Sequence, residues 1–181
     1  SLTNINRQLI ALHSTVGKDK TAVMAERIHD ICPETEVVEY PVVYTAENKD
    51  LIDFSSYDYI VDAIDTIQPK CHLIAEAWRR RIKIVSSMGA GAKSDITQIR
   101  LSDLWDTYHC GLAKAVRNGL KRMGMKRSLP VVFSTEQARS EAIIRVENEQ
   151  NKKSTTGTVS YMPATFGCFL AGYVITSLRG R

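Results

Sequence analysis

The sequence has few of the features that mark secreted, membrane-spanning or disordered proteins. Its 181 residues include four cysteines, and no two of them form a C-x-x-C pair. This argues against a disulfide framework and against the usual spacing of a structural zinc site. No basic segment followed by an apolar core begins the chain, and the longest apolar run, at about residues 164–178, is short for a bilayer span. We therefore expect a cytoplasmic protein.

The composition also lacks a strong excess of either charge. The formal net charge is +4, so a polyanionic partner is permitted but not required. Hydrophobic residues make up 44% of the chain, which is enough for a sizeable core. We predict one globular domain over residues 1–181, with a nucleotide and substrate part at 1–136, a mobile loop at 137–160 and a packing helix at 161–181.

Strand-like and helix-like segments alternate along the chain. Predicted strands lie at residues 36–40, 59–64, 82–86, 97–101 and 131–135. Predicted helices lie at residues 18–31, 47–54, 69–78, 112–123 and 163–178. Such alternation requires right-handed crossovers between parallel strands. It predicts an α/β fold with a mainly parallel sheet.

The most informative stretch is residues 59–66. Ile60, Val61 and Ile64 give it the β-branched content of a strand that is covered on both faces of a sheet. Asp65 follows where the strand pattern gives way to a helix pattern. In open parallel sheets ligands bind beyond the carboxyl ends of the strands, so Asp65 is a candidate for holding a metal ion or a ribose. A plain helix N-cap is the alternative.

The first residues are polar and rich in side chains that bind phosphates. Arg7 offers a planar guanidinium group to an anion, and Asn4 and Gln8 offer amides around it. A frayed terminus is the alternative. Lys20 lies in the first turn of a predicted helix, where the helix dipole favours anions. A bound phosphate would explain a lysine at that position.

A glycine-rich segment at residues 88–92 follows a predicted strand, as a dinucleotide-binding loop would. It lacks the third glycine, and the residues after it predict a strand rather than a long helix. These departures argue against a phosphate-binding fingerprint there. We predict a close-packed turn near the ligand instead.

Three motifs occur together in order: T-N-I-N-R-Q at residues 3–8, V-G-K-D-K at 16–20 and V-D-A-I-D at 61–65. Together they resemble the ubiquitin-activating-enzyme-like adenylyltransferases, a superfamily that includes the thiamine and molybdopterin sulfur-carrier activators.

Three longer stretches are similar to the tRNA threonylcarbamoyladenosine dehydratase branch of that superfamily. They are D-A-I-D-T-I-Q-P-K at residues 62–70, G-A-G-A-K-S-D-I-T-Q-I at 89–99 and V-F-S-T-E at 132–136. The resemblance runs from Ser1 to about Glu136, with a looser match at residues 163–167.

The resemblance implies a Rossmann-like, mainly parallel twisted sheet with helices on both faces. It implies an ATP-dependent dehydration that cyclises threonylcarbamoyladenosine in tRNA through an acyl-adenylate. The implied partners are tRNA, a second copy in a homodimer and, as a candidate, a sulfur-relay protein.

The same resemblance implies roles for five side chains. Arg7 and Lys20 would hold phosphates. Asn4 would contact the nucleotide, with Gln8 as a weaker candidate. Asp65 would hold Mg²⁺ beside the phosphates. Arg7, Lys20 and Asp65 are then the predicted catalytic residues, and they would converge on a triphosphate and its magnesium ion at one edge of the sheet.

Two departures from the family pattern affect these expectations. Family members begin with a glycine-rich β-α unit that cradles ATP, and the sequence contains none upstream of its first motif. We expect that unit to precede Ser1 in a longer parent enzyme. The second departure is C-G-L-A at residues 110–113, where the branch commonly shows D-P-L-A. Cys110 could be a reactive thiol, or a structural cysteine without a nearby activating group.

Two other functions compete with the dehydratase. A sulfur-carrier activator would adenylate the C-terminal glycine of a small ubiquitin-like protein, but such activators often carry the paired C-x-x-C motifs that this sequence lacks. The second is a non-catalytic remnant that serves as a dimerisation or RNA-binding module.

Overall fold

The structure is a computed structural model that describes residues 2–145 and 154–180. Internal contacts divide the chain into two compact units, Ser1–Tyr44 and Thr45–Arg181, and each is described by itself. The prediction of one domain over residues 1–181 stays a prediction. The centre of the predicted mobile loop, residues 146–153, lies outside the described residues.

The first unit contains one long helix. Two short 3-10 turns, Leu2–Asn4 and His13–Thr15, precede α1 (Lys20–Ile31), which confirms the predicted helix. Gly17 has a φ of +89°, a left-handed conformation that glycine adopts without steric cost. This residue therefore allows the chain to bend sharply just before α1.

The strand predicted at residues 36–40 does not form. These residues have no regular secondary structure, and the described part of the first unit contains no strand that could pair with them. Val38 is accordingly exposed. A segment with strand-like composition needs a hydrogen-bonding partner to become a strand, and the described part of this unit offers none.

The second unit is organised around a four-stranded sheet. Its strands are β1 (Tyr59–Asp62), β2 (Lys83–Ser87), β3 (Ile99–Asp103) and β4 (Pro130–Ser134). They lie in the order β1-β2-β4-β3, with β1, β2 and β4 parallel and β3 antiparallel to β4. The prediction of a mainly parallel sheet is confirmed. β3 departs from it because only eleven residues separate it from β2, too few for a helical crossover.

The described residues of the second unit form three α-helices: α2 (Ile67–Arg80), α3 (Gly111–Arg122) and α4 (Tyr161–Arg179). Two short antiparallel strands, β5 (Ile143–Arg145) and β6 (Ser154–Thr156), form a separate ribbon. Both strands lie inside the range predicted as a mobile loop, residues 137–160, and the mobility of that range stays a prediction.

The helix predicted at residues 47–54 is replaced by two 3-10 turns, Lys49–Leu51 and Phe54–Ser56. Local side-chain bonds explain the difference. The Asp53 carboxylate accepts the backbone N–H of Ser55 at 3.0 Å and begins a new turn there. Such bonds compete with the regular pattern of an α-helix.

The core lies between the sheet and α4 on one face. Met162, Phe166 and Leu170 recur every four residues on α4 and are buried. They pack against Val85, Ile99 and Val132 of the sheet. The helices α2 and α3 pack against each other, and α2 contacts β1 and β2. The sheet is flanked by helices, as the fold prediction required.

The strand β1 is less covered than the sequence predicts. Asp62 is buried, but Val61 is 50% exposed because β1 forms an edge of the described sheet. The prediction that both faces of this strand are covered is therefore wrong for this chain.

By length and composition α4 is the one helix among the described residues that could cross a membrane, a test that core helices also pass.

Candidate functional site

Three of the predicted nucleotide-binding residues share a cleft in the first unit. Its lining consists of Asn4, Gln8, Ile10, Ala11, Thr15, Val16, Lys18, Lys20 and Val23. The cleft lies beside the beginning of α1, where backbone N–H groups lack partners within the helix. Two lysine side chains and a helix N-terminus together favour an anionic ligand such as a phosphate.

Arg7 lies beside this cleft and is already held by neighbouring acceptors. Its Nη1 donates to the carbonyl oxygen of Thr3 at 2.6 Å and to Oδ1 of Asn6 at 3.0 Å. Its Nη2 donates to Oδ1 of Asn4 at 3.2 Å. The guanidinium group is thus fixed next to Asn4, which lines the cleft. Such fixing reduces the entropy lost when a planar cation binds an anion.

Asp65 occupies the predicted position in the second unit. It lies in the turn between β1 and α2, at the carboxyl end of β1, and its side chain is exposed. An exposed carboxylate at that edge can reach a ligand outside the sheet. The N-cap of α2 is Thr66 rather than Asp65, so the plain N-cap alternative does not account for Asp65.

A buried ionic network contacts the backbone of the same turn, between β1 and α2. Lys70 and Asp62 are both fully buried, and the ammonium nitrogen of Lys70 lies 2.8 Å from Oδ2 of Asp62. Lys70 also donates to the carbonyl oxygen of Ile64 at 2.9 Å. The hydroxyl group of Ser86 donates to Oδ2 of Asp62 at 2.6 Å. Burial lowers the pKa of Lys70, while the Asp62 carboxylate opposes that shift.

A second buried network fixes the glycine-rich segment after β2. Oε2 of Glu136 accepts the backbone N–H groups of Ser94 and Asp95, each at 2.8 Å. The ammonium group of Lys93 donates to the carbonyl oxygen of Ser134 at 2.6 Å, and burial lowers the pKa of Lys93. The predicted close-packed turn is present, because a Cβ atom added at Gly91 would lie 2.8 Å from Cγ2 of Thr156.

Cys110 is buried at the N-cap of α3. Its sulfur accepts the backbone N–H of Ala113 at 3.5 Å. The residue is 8% exposed, which fits a structural cysteine, but the ammonium group of Lys93 interacts electrostatically with Cys110, so neither alternative is excluded.

Sequence reasoning assigned no role to Lys70, Lys93 or Glu136. One signal was available for Lys70, since it precedes Leu73, Ile74 and Ala77 at the spacing of one helix face, and those three residues are buried. No local pattern distinguishes Lys93 or Glu136, because their partners lie about 40 residues away in the sequence.

The residues present fit a magnesium ion that is held mainly by phosphates. Among the residues that the structure describes, no group of three or more His, Cys, Asp or Glu side chains could hold a metal ion by itself. Mg²⁺ commonly uses one or two carboxylates together with substrate phosphates and water. The exposed carboxylate of Asp65 could supply one such oxygen ligand.

The five predicted residues fall into two groups. Asn4, Gln8 and Lys20 line one cleft in the first unit, and Arg7 contacts Asn4. Asp65 belongs to the second unit. Their convergence on one triphosphate stays a prediction.

Comparison with known proteins identifies relatives over nearly the whole chain. The tRNA threonylcarbamoyladenosine dehydratase of Bacillus subtilis is 38% identical, with 98% of this chain and 72% of that protein aligned. The enzyme of the same name from Escherichia coli K12 is also 38% identical, over 91% of this chain and 59% of that protein.

Solved structures agree with these relatives. The E. coli dehydratase, TcdA, in complex with AMP superimposes with a TM-score of 0.86 at 35% identity, covering 99% of this chain and 72% of that one. TcdA in complex with ATP gives a TM-score of 0.86 at 34% identity, with the same coverage. The ThiF family matches residues 1–181. The predicted family is thereby confirmed, and the chain belongs to the ThiF family.

Proposed function

We propose that this chain acts as an ATP-dependent tRNA threonylcarbamoyladenosine dehydratase. The observation that carries the proposal is the similarity to named dehydratases over 98% of the chain. The solved complexes of TcdA with AMP and ATP support a nucleotide-dependent reaction. The substrate would be the carboxylate of threonylcarbamoyladenosine in tRNA, and the reaction would remove one water and close a ring.

The chemistry requires charge neutralisation around phosphates. A carboxylate that attacks the α-phosphorus of ATP forms an acyl-adenylate and releases pyrophosphate, so negative charge accumulates in the transition state. Arg7 and Lys20 are the cations that we propose for this task. The support is geometric, because Lys20 lines the cleft at the start of α1 and Arg7 is fixed at its margin. Asn4 and Gln8, also in the cleft wall, would bind the nucleotide.

Asp65 would hold the magnesium ion that accompanies ATP. When bound, Mg²⁺ neutralises phosphate charge and orients the leaving group. Asp65 supports this role by its exposed position at the carboxyl end of β1. The acyl-adenylate has a good leaving group, so ring closure needs little further help from the protein.

The proposed setting is a cytoplasmic homodimer that binds tRNA. Two large apolar side chains on α4, Phe169 and Ile175, are 40% and 53% exposed. Apolar side chains that one copy leaves exposed support burial against a second copy.

The second candidate is adenylation of a ubiquitin-like sulfur-carrier protein. A match to an adenylyltransferase and sulfurtransferase of Saccharomyces cerevisiae, UBA4, favours it, at 29% identity over 60% of this chain and 24% of that protein. This match covers less of both proteins than the dehydratases do, which is why we prefer the first candidate.

One experiment separates these candidates. The full polypeptide is incubated with ATP and Mg²⁺, together with tRNA that carries threonylcarbamoyladenosine, the same tRNA without that modification, or a ubiquitin-like carrier protein. We expect pyrophosphate release only with the modified tRNA, and loss of one water from its modified nucleoside by mass spectrometry. Release with the carrier protein alone would favour the second candidate. Dimerisation without any nucleotide binding would indicate the non-catalytic module.

A further inference from the structure

We infer that Lys70 is a positioning residue that holds the turn between β1 and α2 in the conformation that presents Asp65. This inference rests on the proposed function, because it assigns Lys70 a task only if Asp65 acts at the site. Lys70 itself cannot touch the nucleotide or the tRNA, since its side chain is fully buried. It would act through the backbone of the turn.

Four contacts hold the chain immediately before Asp65. Lys70 donates to the carbonyl oxygen of Ile64 at 2.9 Å, and the backbone N–H of Ile64 donates to Oδ1 of Asp62 at 3.0 Å. The other oxygen of Asp62 is bound by Lys70 at 2.8 Å and by Ser86 at 2.6 Å. Both polar backbone groups of Ile64 are therefore occupied. The next residue in the chain is Asp65, so its backbone has little freedom.

The network also links the turn to two neighbouring elements. Lys70 lies in the first turn of α2, and Ser86 lies in β2, where it pairs in register with Asp62 of β1. The turn is thereby joined to β1, β2 and α2 at once. A loop fixed to three elements keeps its exposed carboxylate in one place, which a metal ligand with strict geometry requires.

Burying the ammonium group of Lys70 costs free energy that an apolar side chain in the same place would not cost. Lys70 occupies a position on the apolar face of α2, beside Leu73, Ile74 and Ala77. An apolar side chain would avoid the loss of hydration that burial imposes on an ammonium group. No apolar side chain could donate to Ile64 and Asp62 together. A lysine at position 70 is therefore explained by its two contacts, with the carbonyl oxygen of Ile64 and with the carboxylate of Asp62.

The most informative variant removes both charges of the Lys70–Asp62 pair at once. In Asp62→Asn/Lys70→Met no buried charge is left unpaired, the volumes are nearly kept, and the donor to Ile64 is lost. We expect the Mg²⁺ concentration for half-maximal AMP formation to rise about tenfold or more, as for other groups that orient a metal ligand. The KM for the modified tRNA should stay within twofold. Lys70→Arg in the otherwise unaltered protein keeps a cation and several donors. Its Mg²⁺ concentration for half-maximal AMP formation should therefore lie closer to that of the unaltered protein than to that of the double variant.

Two controls make the comparison specific. Ser86→Ala removes one donor to Asp62 but leaves the bond from Lys70 to Ile64, so its Mg²⁺ requirement should change less than threefold. Amide hydrogen exchange at residues 64–66 gives a readout that needs no substrate. Exchange there should be faster in Asp62→Asn/Lys70→Met than in the unaltered protein, while exchange in β4 stays the same.

The outcomes are distinguishable. If the unaltered protein releases no AMP with modified tRNA, the proposed function fails, and amide exchange still decides whether Lys70 holds the turn. If the unaltered protein is active and the folded double variant keeps both its Mg²⁺ requirement and its slow exchange, the inference about Lys70 is wrong. Should the double variant not fold, Asp62→Asn/Lys70→Leu provides the same comparison, since it also leaves no buried charge unpaired and also lacks the donor to Ile64.

Discussion

The ammonium nitrogen of Lys70 lies 2.8 Å from Oδ2 of Asp62, and neither side chain is exposed. A buried pair of this kind need not add stability, but removing one partner leaves the other charge unpaired in the interior. Lys70→Met should therefore lower the free energy of unfolding by about 3–5 kcal/mol, as measured by urea denaturation. Asp62→Asn/Lys70→Met should lose much less. Lys83→Met, at an exposed lysine, is the control, and equal stability of both lysine variants would contradict the prediction.

Asp65→Asn should separate folding from activity. The side chain is exposed, so thermal and urea unfolding should be unchanged. If Asp65 holds the metal as proposed, loss of its carboxylate should reduce Mg²⁺-dependent AMP formation about 100-fold or more. Asp106→Asn is a matched control, because Asp106 is exposed and follows β3 at the opposite edge of the sheet. Unchanged turnover in Asp65→Asn would remove this residue from the site.

Lys20→Met should weaken ATP binding more than AMP binding. A lysine that contacts the outer phosphates loses its partners when only one phosphate is present. We expect the Kd for ATP to rise about tenfold or more, because a hydrogen bond between charged groups contributes about 1.5–3 kcal/mol. The Kd for AMP should change less than threefold. Titration calorimetry of the full polypeptide provides both values, and Arg27→Met, two turns along α1, is the control.

Gly119→Ala tests the contact between α2 and α3. A Cβ atom at Gly119 would lie 2.6 Å from the sulfur atom of Cys71. Overpacking of this kind costs about 1–3 kcal/mol, which exceeds the gain of about 1 kcal/mol from replacing glycine within a helix. The variant should be less stable in urea, and Cys71→Ala/Gly119→Ala should recover part of the loss. Gly172→Ala, where no atom lies within 4 Å, should be neutral or slightly stabilising.

Acid should weaken the second unit partly through Glu76. Hydrogen bonding by Arg80 is the largest cause that lowers the pKa of Glu76 below its usual value of 4.5, and burial opposes it. A carboxyl group with a lowered pKa stabilises the fold fully above pH 4.5, and this contribution is lost as the pH falls through the folded-state value.

Urea unfolding between pH 7 and pH 3 measures this effect. The free energy of unfolding should decline below pH 4.5 in the unaltered protein, and the decline should be smaller in Glu76→Gln. Glu39→Gln, at an exposed residue of the first unit, serves as the control. A decline of the same size in both variants would show that other carboxyl groups dominate.

The features that sequence predicted best are those that a short segment determines. β1, β4 and α3 appear where their hydrophobic patterns place them, because each pattern reports which face of the element is buried. The place of Asp65 in the turn after β1 was predicted in the same way, because the end of a strand pattern fixes it, while its role stays a prediction. The family followed from motifs that keep their order along the chain.

What sequence reasoning missed depends on partners that are distant in the chain. The segment at residues 36–40 has the composition of a strand but no strand beside it. The direction of β3 depends on how it pairs with β4, and its own residues do not encode this direction. Glu136 is distinguished by the hydrogen bonds that it accepts from Ser94 and Asp95, about 40 residues earlier in the chain. Only pairing in three dimensions could reveal these features.

The reversed direction of β3 has a consequence for the segment that follows it. β3 ends beside Pro130, the first residue of β4, yet Nδ1 of His109 lies 3.0 Å from the carbonyl oxygen of Thr135, just beyond the other end of that strand. Residues 104–110 thus carry the chain back along the full length of β4 before α3 begins. Arg117 braces this return by donating to the carbonyl oxygen of Thr107 at 2.9 Å. The length of this seven-residue segment therefore sets where α3 starts, and deleting one residue from it would shift the first turn of that helix away from the carboxyl end of β4.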